Sequence, residues 1–325
     1  MKIIALCLAA LVSLAGLPSA NAADAPCGLV RVAELPVDIS HGQLLVKMNI
    51  DGQEGQFLID TGSPYNSLSR RMVEALHLNP MPITPGMIVF DAAGAQLKHF
   101  VIAKKLTMND MVAENKEFLI MGESSNQAPP FDGIFGASFL AAYDLELDLP
   151  HGKIRLFSQD HCKGQVVYWT QDFTAVPFTM DNHSLHIMTR VTLDGNSLQA
   201  LLDSGATPST ITAQTARRTF NIDPAATGAA PDGKDTGGSG TGIPYYRHRF
   251  ANLDIGGVEF HNTELQIISD KLTEIYRDHE RIDDATRTQR SVAQVTIGLH
   301  HLSKIRAYIA YDERMLYISA ADATQ

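Results

Sequence analysis

Residues 57–63 read Phe-Leu-Ile-Asp-Thr-Gly-Ser, and residues 200–206 read Ala-Leu-Leu-Asp-Ser-Gly-Ala. In each stretch three apolar residues lead into an aspartate, a hydroxyl residue and a glycine. A carboxylate at the end of a buried strand is costly unless hydrogen bonds satisfy it. The glycine permits a tight turn in which backbone N–H groups approach the carboxylate. The two stretches therefore predict a pair of strand ends built to hold Asp60 and Asp203.

Both stretches belong to a longer internal repeat with a shift of 143 residues. Residues 48–69 align with residues 191–212, and six of the 22 aligned pairs are identical. Each copy reads as a strand, an Asp-Gly hairpin turn, a second strand and a capped helix start. The predicted turns are Asp51-Gly52 and Asp194-Gly195, and the predicted caps are Ser69 and Thr212.

The two copies also end alike. The first contains Ile134-Phe135-Gly136 and the second Thr296-Ile297-Gly298, and each is followed by two strands around a short turn. This duplication predicts an N-terminal lobe over residues 28–160, a connector over 161–181 and a C-terminal lobe over 182–322. Inside the lobes, residues 87–102 predict a hairpin, 227–242 a glycine-rich loop and 270–290 a charged surface helix.

Two repeated loops that meet at a pseudo-twofold axis would bring their carboxyl groups within hydrogen-bond reach. Like charges at that distance cannot both ionise, so Asp60 and Asp203 would share one proton. One carboxyl could then take a proton from water while the other donates a proton to a carbonyl oxygen. Such chemistry requires no metal and no cofactor. The twelve histidines form no metal-binding spacing, and His300-His301 is expected near a helix start.

The repeated motifs resemble those of the aspartic peptidases of the pepsin and retropepsin fold. This resemblance rests on Asp60-Thr61-Gly62-Ser63, on Asp203-Ser204-Gly205-Ala206 and on the two hydrophobic-hydrophobic-Gly elements. It covers nearly the whole chain beyond its first residues. In particular, the chain resembles bacterial secreted forms with two retropepsin-like units. The resemblance implies an all-β, bilobal fold of two pseudo-symmetric β-barrel lobes with short helices. It also implies a polypeptide substrate and an endopeptidase activity. A monomer would be sufficient for this activity, because one chain contains both aspartate motifs.

The same resemblance implies roles for individual residues. Asp60 and Asp203 would be the catalytic pair. The residues expected to support them are Thr61 and Ser204 as an interlocked hydroxyl grip, Gly62 and Gly205 in the turns, and Ser63 as a donor to the outer oxygen of Asp60. Gly136 and Gly298 would let their elements cross behind the catalytic loops. The hairpin residue at the tip of the flap is expected at Phe90 or nearby.

The first residues predict export to the periplasm or the medium. Lys2, an apolar run from Ile3 to Leu17 and the Ala20-Asn21-Ala22 sequence are typical of a signal peptide over residues 1–22. A buried helix or a retained anchor is the alternative, and no later stretch is long enough to span a bilayer. In an oxidising compartment, Cys27 and Cys162 are candidates for a disulfide, although two buried thiols would also fit.

The charge of the chain excludes some partners. It carries 26 basic and 36 acidic residues, a formal charge of −10. This acidity is untypical of proteins that bind nucleic acid. It is also untypical of proteins that bind anionic membrane surfaces.

Three other interpretations remain open from the sequence. The aspartates could be ordinary turn or cap residues, or the fold could be a catalytically inactive module that binds peptides. A serine hydrolase is disfavoured because no Gly-x-Ser-x-Gly elbow is present. A third motif, Asp235-Thr236-Gly237, repeats the letters of the first but lacks a buried strand before it, so we expect it to be non-catalytic.

Overall fold

Strands dominate the computed structural model, which describes residues 28–85, 89–90, 96–109, 111–122, 129–180, 184–235, 243–269 and 293–321. The strands of the first half are β1 Arg31–Asp38, β2 Leu45–Ile50, β3 Gln53–Ile59, β4 Ser67–Ser69, β5 Met81–Pro82, β6 Val89–Phe90, β7 Gln96–Leu97, β8 His99–Met108, β9 Met111–Met121, β10 Gly133–Phe135, β11 Asp144–Asp148 and β12 Lys153–Phe157. Those of the second half are β13 Thr174–Pro177, β14 Met188–Leu193, β15 Asn196–Leu202, β16 Thr210–Thr212, β17 Gly233–Asp235, β18 Ile243–Ile255, β19 Val258–Ile268, β20 Val295–Ile297, β21 Ile305–Ala310 and β22 Met315–Ala320.

The described helices are short. They are α1 Arg70–Ala75, α2 Ala137–Leu140, α3 Ala213–Phe220, α4 Leu299–Leu302 and one 3₁₀ turn, Leu149–His151. As the sequence predicts, the side chain of Ser69 caps α1 by accepting from Met72 N at 3.2 Å, and Thr212 caps α3 by accepting from Thr215 N at 3.2 Å. No helix among the described residues combines the length and the apolar character needed to span a membrane.

Each half of the chain closes a six-stranded barrel. In the first, the order β2-β3-β10-β4-β9-β8 closes by pairing of β2 with β8. In the second, the order β14-β15-β20-β16-β19-β18 closes by pairing of β14 with β18. The two barrels share the same mixture of parallel and antiparallel pairs. For example, β3–β10 of the first and β15–β20 of the second are both parallel. The predicted all-β fold of two related barrel lobes is therefore confirmed.

The two hairpin turns of the repeat have the backbone that their sequence predicts. Asp51 and Gly52 have φ of 49° and 93°, and Asp194 and Gly195 have φ of 44° and 79°. A two-residue hairpin turn with two positive φ angles matches the twist of its strands, and Asp-Gly is suited to it. Each turn therefore sets the register of the strand that leads to an aspartate.

A third sheet joins the lobes, in the order β13-β22-β21-β11-β12-β1. Its central pair is β11 with β21, in which Leu145 faces Ile309 and Leu147 faces Ala307. These four side chains are fully buried in the main apolar core, on one face of the sheet. Part of the predicted connector is thus a strand of this sheet, because β13 pairs with β22. The shared sheet fixes how the two barrels face each other.

The other face of the joining sheet holds a buried row of acids, Asp144, Glu146 and Asp148. Arg155 Nη1 lies 2.9 Å from both Glu146 and Asp148, and Arg306 Nη2 lies 2.6 Å from Glu146. Burial opposes the charge on Arg155, but its hydrogen bonds to Asp148 and Glu34 outweigh burial and raise its pKa. Buried charges persist only when they are paired, so loss of one partner here would leave an uncompensated charge inside the joint between the lobes.

Several predictions concern residues outside the described part of the chain. They are the signal peptide, Cys27 and therefore its pairing with Cys162, Thr236 and Gly237 of the third motif, the 236–242 part of the glycine-rich loop, and the charged segment 270–290. The predicted 87–102 hairpin is described in part, since β6 pairs with β7. The side chain of Phe90 is outside the description, so the flap tip stays a prediction.

Candidate active site

Each predicted catalytic aspartate follows the last residue of a buried strand. Asp60 comes directly after β3 and Asp203 directly after β15. The backbone N–H of Asp60 donates to Phe135 O at 3.0 Å, and that of Asp203 donates to Ile297 O at 3.0 Å. Both acceptors belong to the hydrophobic-hydrophobic-Gly elements, which run parallel to the aspartate strands. Each acid is therefore held by the strand behind it.

Gly136 and Gly298 lie where these elements pass behind the aspartate loops. A Cβ on Gly136 would lie less than 3.0 Å from the carbonyl oxygens of Ser63 and Tyr65, and one on Gly298 would meet those of Ala206 and Pro208 in the same way. Backbone cannot yield to such an overlap as a flexible side chain does. The close crossing thus requires glycine in both lobes.

Backbone donors surround one oxygen of each carboxyl group in the same pattern. Asp60 Oδ1 accepts from Gly62 N at 2.9 Å and from Ser63 N at 3.0 Å. Asp203 Oδ1 accepts from Gly205 N at 2.9 Å and from Ala206 N at 3.0 Å. Hydrogen bonds of this kind favour the charged form of a carboxyl. They offset part of the cost of burial at both positions.

The two carboxyl groups meet at the boundary between the lobes and are hydrogen-bonded to each other. Burial, the charge of Asp203 and this hydrogen bond raise the pKa of Asp60 well above its ordinary value. Burial also raises the pKa of Asp203, but the N–H of Ala206 and the hydrogen bond from Asp60 oppose it. Both carboxyls are therefore more readily protonated than an ordinary aspartate, and Asp60 more so than Asp203.

Thr61 and Ser204 lock the two loops together beneath the acids. Ser204 Oγ donates to Ile59 O at 2.8 Å and accepts from Thr61 N at 3.1 Å. Thr61 Oγ1 donates to Leu202 O at 2.8 Å and accepts from Ser204 N at 3.0 Å. All four bonds cross between the lobes, and both side chains are buried. The structure thus contains the interlocked hydroxyl grip that the sequence predicts.

Sequence comparison agrees with this arrangement. The profile of a family described as "Aspartyl protease" matches residues 46–139 and 189–284, one match for each copy of the repeat and together more than half of the chain.

The chain belongs to the aspartyl protease family.

Solved structures resemble this family member in fold. An aspartic proteinase from Irpex lacteus matches with 12% identity over 90% of this chain and 98% of its own, at a TM-score of 0.48. Basic 7S globulin from soybean matches with 9% identity over 92% of this chain and 100% of its own, at a TM-score of 0.47. No curated protein sequence matches the chain.

The side chain of Ser63 differs from its predicted role in this family member. Its hydroxyl donates to Tyr65 O at 3.0 Å, and the contact with Asp60 comes from the Ser63 backbone N–H. Ala206 supplies the same backbone contact to Asp203. The Ser63 hydroxyl therefore does not distinguish the two acids in this structure.

His186 is a site residue that the sequence interpretation missed. Its Nε2 lies 2.9 Å from Gly62 O, across the boundary between the lobes. The residues that it joins are 124 positions apart, and a search for metal-binding spacing among histidines cannot find such a contact. The repeat could have indicated it, since the 143-residue shift aligns His186 with Gln43, an uncharged residue.

A buried Ser-His pair lies behind the second aspartate loop. Ser209 Oγ is 2.6 Å from His301 Nδ1, whose Nε2 is 2.6 Å from Thr263 Oγ1. Burial lowers the pKa of His301 to about 3, so the imidazole is neutral. A serine nucleophile needs an exposed hydroxyl and an acid behind its histidine. Ser209 is buried and its histidine contacts a threonine, so this pair stabilises the loop and does not support a serine hydrolase.

His300 and His301 lie in helix α4, as predicted, and among the described residues no group of three or more His, Cys, Asp or Glu is placed to hold a metal. Asp235 of the third motif lies in β17, which pairs with β18 at the end of its sheet. Asp235 therefore does not follow a strand of the closed barrel as Asp60 and Asp203 do.

Replacement of Thr61 with valine should lower the free energy of unfolding by about 3 kcal/mol, because Leu202 O and Ser204 N would lose their buried partner. Valine keeps the volume and branching of threonine, so packing is preserved. Urea unfolding followed by circular dichroism measures the change. Thr192→Val, at a half-buried position of β14, is the matched control and should change the value by less than about 0.5 kcal/mol. Equal effects of the two variants would contradict the role given to the grip.

Proposed function

We propose that this protein is an aspartic endopeptidase that hydrolyses peptide bonds in polypeptide substrates. The observation that supports this most is the hydrogen-bonded pair of half-buried carboxyls, Asp60 and Asp203, at the boundary of two related lobes. A structural acid of a turn would have no need of a second acid beside it. Membership of the aspartyl protease family supports the same reaction class.

In the proposed reaction Asp203 is the base and Asp60 the acid. As a water oxygen attacks the peptide carbonyl carbon, Asp203 accepts a proton from the water and Asp60 donates its proton to the carbonyl oxygen. The result is a tetrahedral diol. As the diol collapses and the C–N bond breaks, Asp203 donates the proton that it took up to the amine nitrogen, and Asp60 takes a proton from a diol hydroxyl. The products are a carboxylic acid and an amine, and the pair is left in its starting state with the proton on Asp60. The grip and the backbone donors keep both acids in place throughout.

Two further features accompany this proposal. Both acids come from one chain, which supports the view that a monomer is sufficient for the reaction. Export of the protein, and a disulfide between Cys27 and Cys162, remain predictions of the sequence that are consistent with an extracytoplasmic peptidase.

The test is cleavage of an unfolded protein by the purified chain at mildly acid pH. We expect cleavage within chains, its inhibition by a peptide that contains statine, which mimics the tetrahedral diol, and its loss in Asp203→Asn. Asp172→Asn, at an exposed position, is the matched control and should cleave normally. A peptide-binding module would bind the statine peptide without any turnover. Inhibition of cleavage by serine-directed reagents would instead indicate a serine hydrolase. Either of these results would overturn the proposal.

A further inference from the structure

A contact made by His186 departs from the pseudo-twofold symmetry of the site. The backbone donors to the carboxyls repeat with the same atoms and nearly the same distances in both lobes, and so do the bonds of the grip. His186 has no such repeat. At the aligned position of the first lobe stands Gln43, which cannot carry a charge.

The backbone confirms that Gln43 and His186 are equivalent positions. Leu44 O, next to Gln43, accepts from Ile59 N at 2.9 Å, and Ile187 O, next to His186, accepts from Leu202 N at 3.0 Å. The preceding residues, Gly42 and Leu185, both have a positive φ, of 70° and 54°. The two segments therefore lie alike beside the aspartate strands, and only the side chains differ.

The contact of His186 shows which of its ring nitrogens carries a hydrogen. A carbonyl oxygen only accepts hydrogen bonds, so Nε2 of His186 must carry the hydrogen that Gly62 O receives. Gly62 itself lies against the other acid, because a Cβ built on it would be closer than 3.0 Å to the carboxyl of Asp203. His186 thus holds the turn of the first lobe against the carboxyl of the second.

A positive charge on the imidazole of His186 acts on the same carboxyl, that of Asp203. The carboxyl of Asp60 lies beside that of Asp203, whereas Gly62 and the grip carry no charge. Burial raises the pKa of Asp203, while the N–H donors of Ala206 and Gly205, the hydrogen bond from Asp60 and the charge of His186 lower it. The charge of His186 thus favours the ionised form of Asp203, whereas the position aligned with it in the first lobe offers Asp60 no charge.

We propose that His186 is a positioning residue that makes the two acids unequal, bracing the Gly62 turn and placing a positive charge beside Asp203. This inference rests on the proposed peptidase function and deepens it. It assigns Asp203 as the anionic base and Asp60 as the proton donor through a residue outside both aspartate motifs. It also predicts that the positive charge of His186 extends activity into more acid conditions, where the pair would otherwise gain a second proton and stop working.

The experiment compares His186→Gln with His186→Lys. Glutamine can donate to Gly62 O without a charge and reproduces the residue of the first lobe, whereas lysine retains a donor and a charge. For His186→Gln we expect the acid limb of the kcat/KM profile to move up by about half a unit to one pH unit. For His186→Lys the limb should stay at or below its position in the parent protein. The pH dependence of binding of a statine peptide should shift in the same direction.

The outcomes separate this inference from the proposed function. If Asp203→Asn is inactive but the acid limb of His186→Gln coincides with that of the parent protein, His186 does not polarise the pair and the inference is overturned. If His186→Gln and His186→Lys lose activity equally at every pH, the residue has a purely structural role, which also overturns it. If Asp203→Asn still cleaves, the peptidase proposal itself fails. A shift with glutamine that lysine reverses supports both.

Discussion

Replacement of Asp60 with asparagine should lower the rate of peptide cleavage by about a thousandfold or more and, at neutral pH, make the protein more stable. The rate falls because an amide has no proton to donate to the peptide oxygen, and loss of a general acid costs about 10²- to 10⁴-fold. The stability rises because asparagine keeps the shape of aspartate and removes a half-buried carboxyl that lies against Asp203. Active-site acids of this kind are retained for catalysis at a cost in stability.

The pH dependence of that gain follows from the raised pKa of Asp60. Burial, and next the charge of Asp203, raise this pKa above its value in the unfolded chain, so the folded state holds the proton more tightly than the unfolded state does. The parent protein therefore loses stability as pH rises from the ordinary aspartate pKa of about 3.9 towards the higher folded value. The asparagine side chain of the variant does not titrate. The difference in stability should be small at low pH and should grow as pH rises.

Urea unfolding at about pH 3 and about pH 7, on either side of the ordinary aspartate pKa, measures this difference, and cleavage of an unfolded protein measures the rate. Asp172→Asn is the control for a change of charge at an exposed position, and it should alter neither quantity. A variant that cleaves normally would exclude Asp60 from the reaction. A variant that is inactive but less stable at neutral pH would show that the acid of Asp60 serves mainly to hold the fold.

The repeated motif allowed the fold and the central pair of acids to be predicted from the sequence, because both depend on local patterns. An Asp-Gly turn with positive φ angles, as at Asp51, has a strong local signature. The start of strand β3 is harder to predict, since its first residues, Gln53 and Glu54, are exposed and lack the apolar character of a strand. Strand β4, over Ser67–Ser69, is also hard to predict, since two of its three residues are serines. Three residues pair there only because β10 and β9 lie on either side.

The ends of the helices and the contacts between the lobes were harder to predict from the sequence. Pro80 and Pro224 lie beyond both helix ends: α1 ends at Ala75, and α3 ends before Asn221, which has the left-handed conformation with φ of 58°. Asparagine adopts this conformation readily at a helix end. The bond of His186 to Gly62 depends on how two lobes face each other. No local pattern contains that information.

Replacement of Gly205 with alanine should abolish most of the activity while the protein still folds. The added Cβ would lie closer than 3.0 Å to the carboxyl of Asp60. This side chain is short, half-buried and held by Gly62 N and Ser63 N. The methyl group can be accommodated only if the two aspartate loops move apart. A displacement of about 1 Å in a catalytic group costs about a hundredfold in rate, and overpacking costs about 1–3 kcal/mol in stability.

Gly152→Ala is the matched control for that substitution, since it separates the effect of lost stability from the effect of displaced aspartate loops. Gly152 ends the 3₁₀ turn with φ of 67°, and a Cβ there would meet nothing within 4 Å. Alanine at this left-handed position should cost about 1–2 kcal/mol and leave kcat/KM unchanged, because the turn is remote from the acids. Measurements of kcat/KM and of urea unfolding on both variants decide the matter. If the two variants lose stability alike and both cleave normally, the close contact between Gly205 and Asp60 is not needed for turnover. If only Gly205→Ala loses activity, the contact of each acid with the opposite loop holds the pair in its working position.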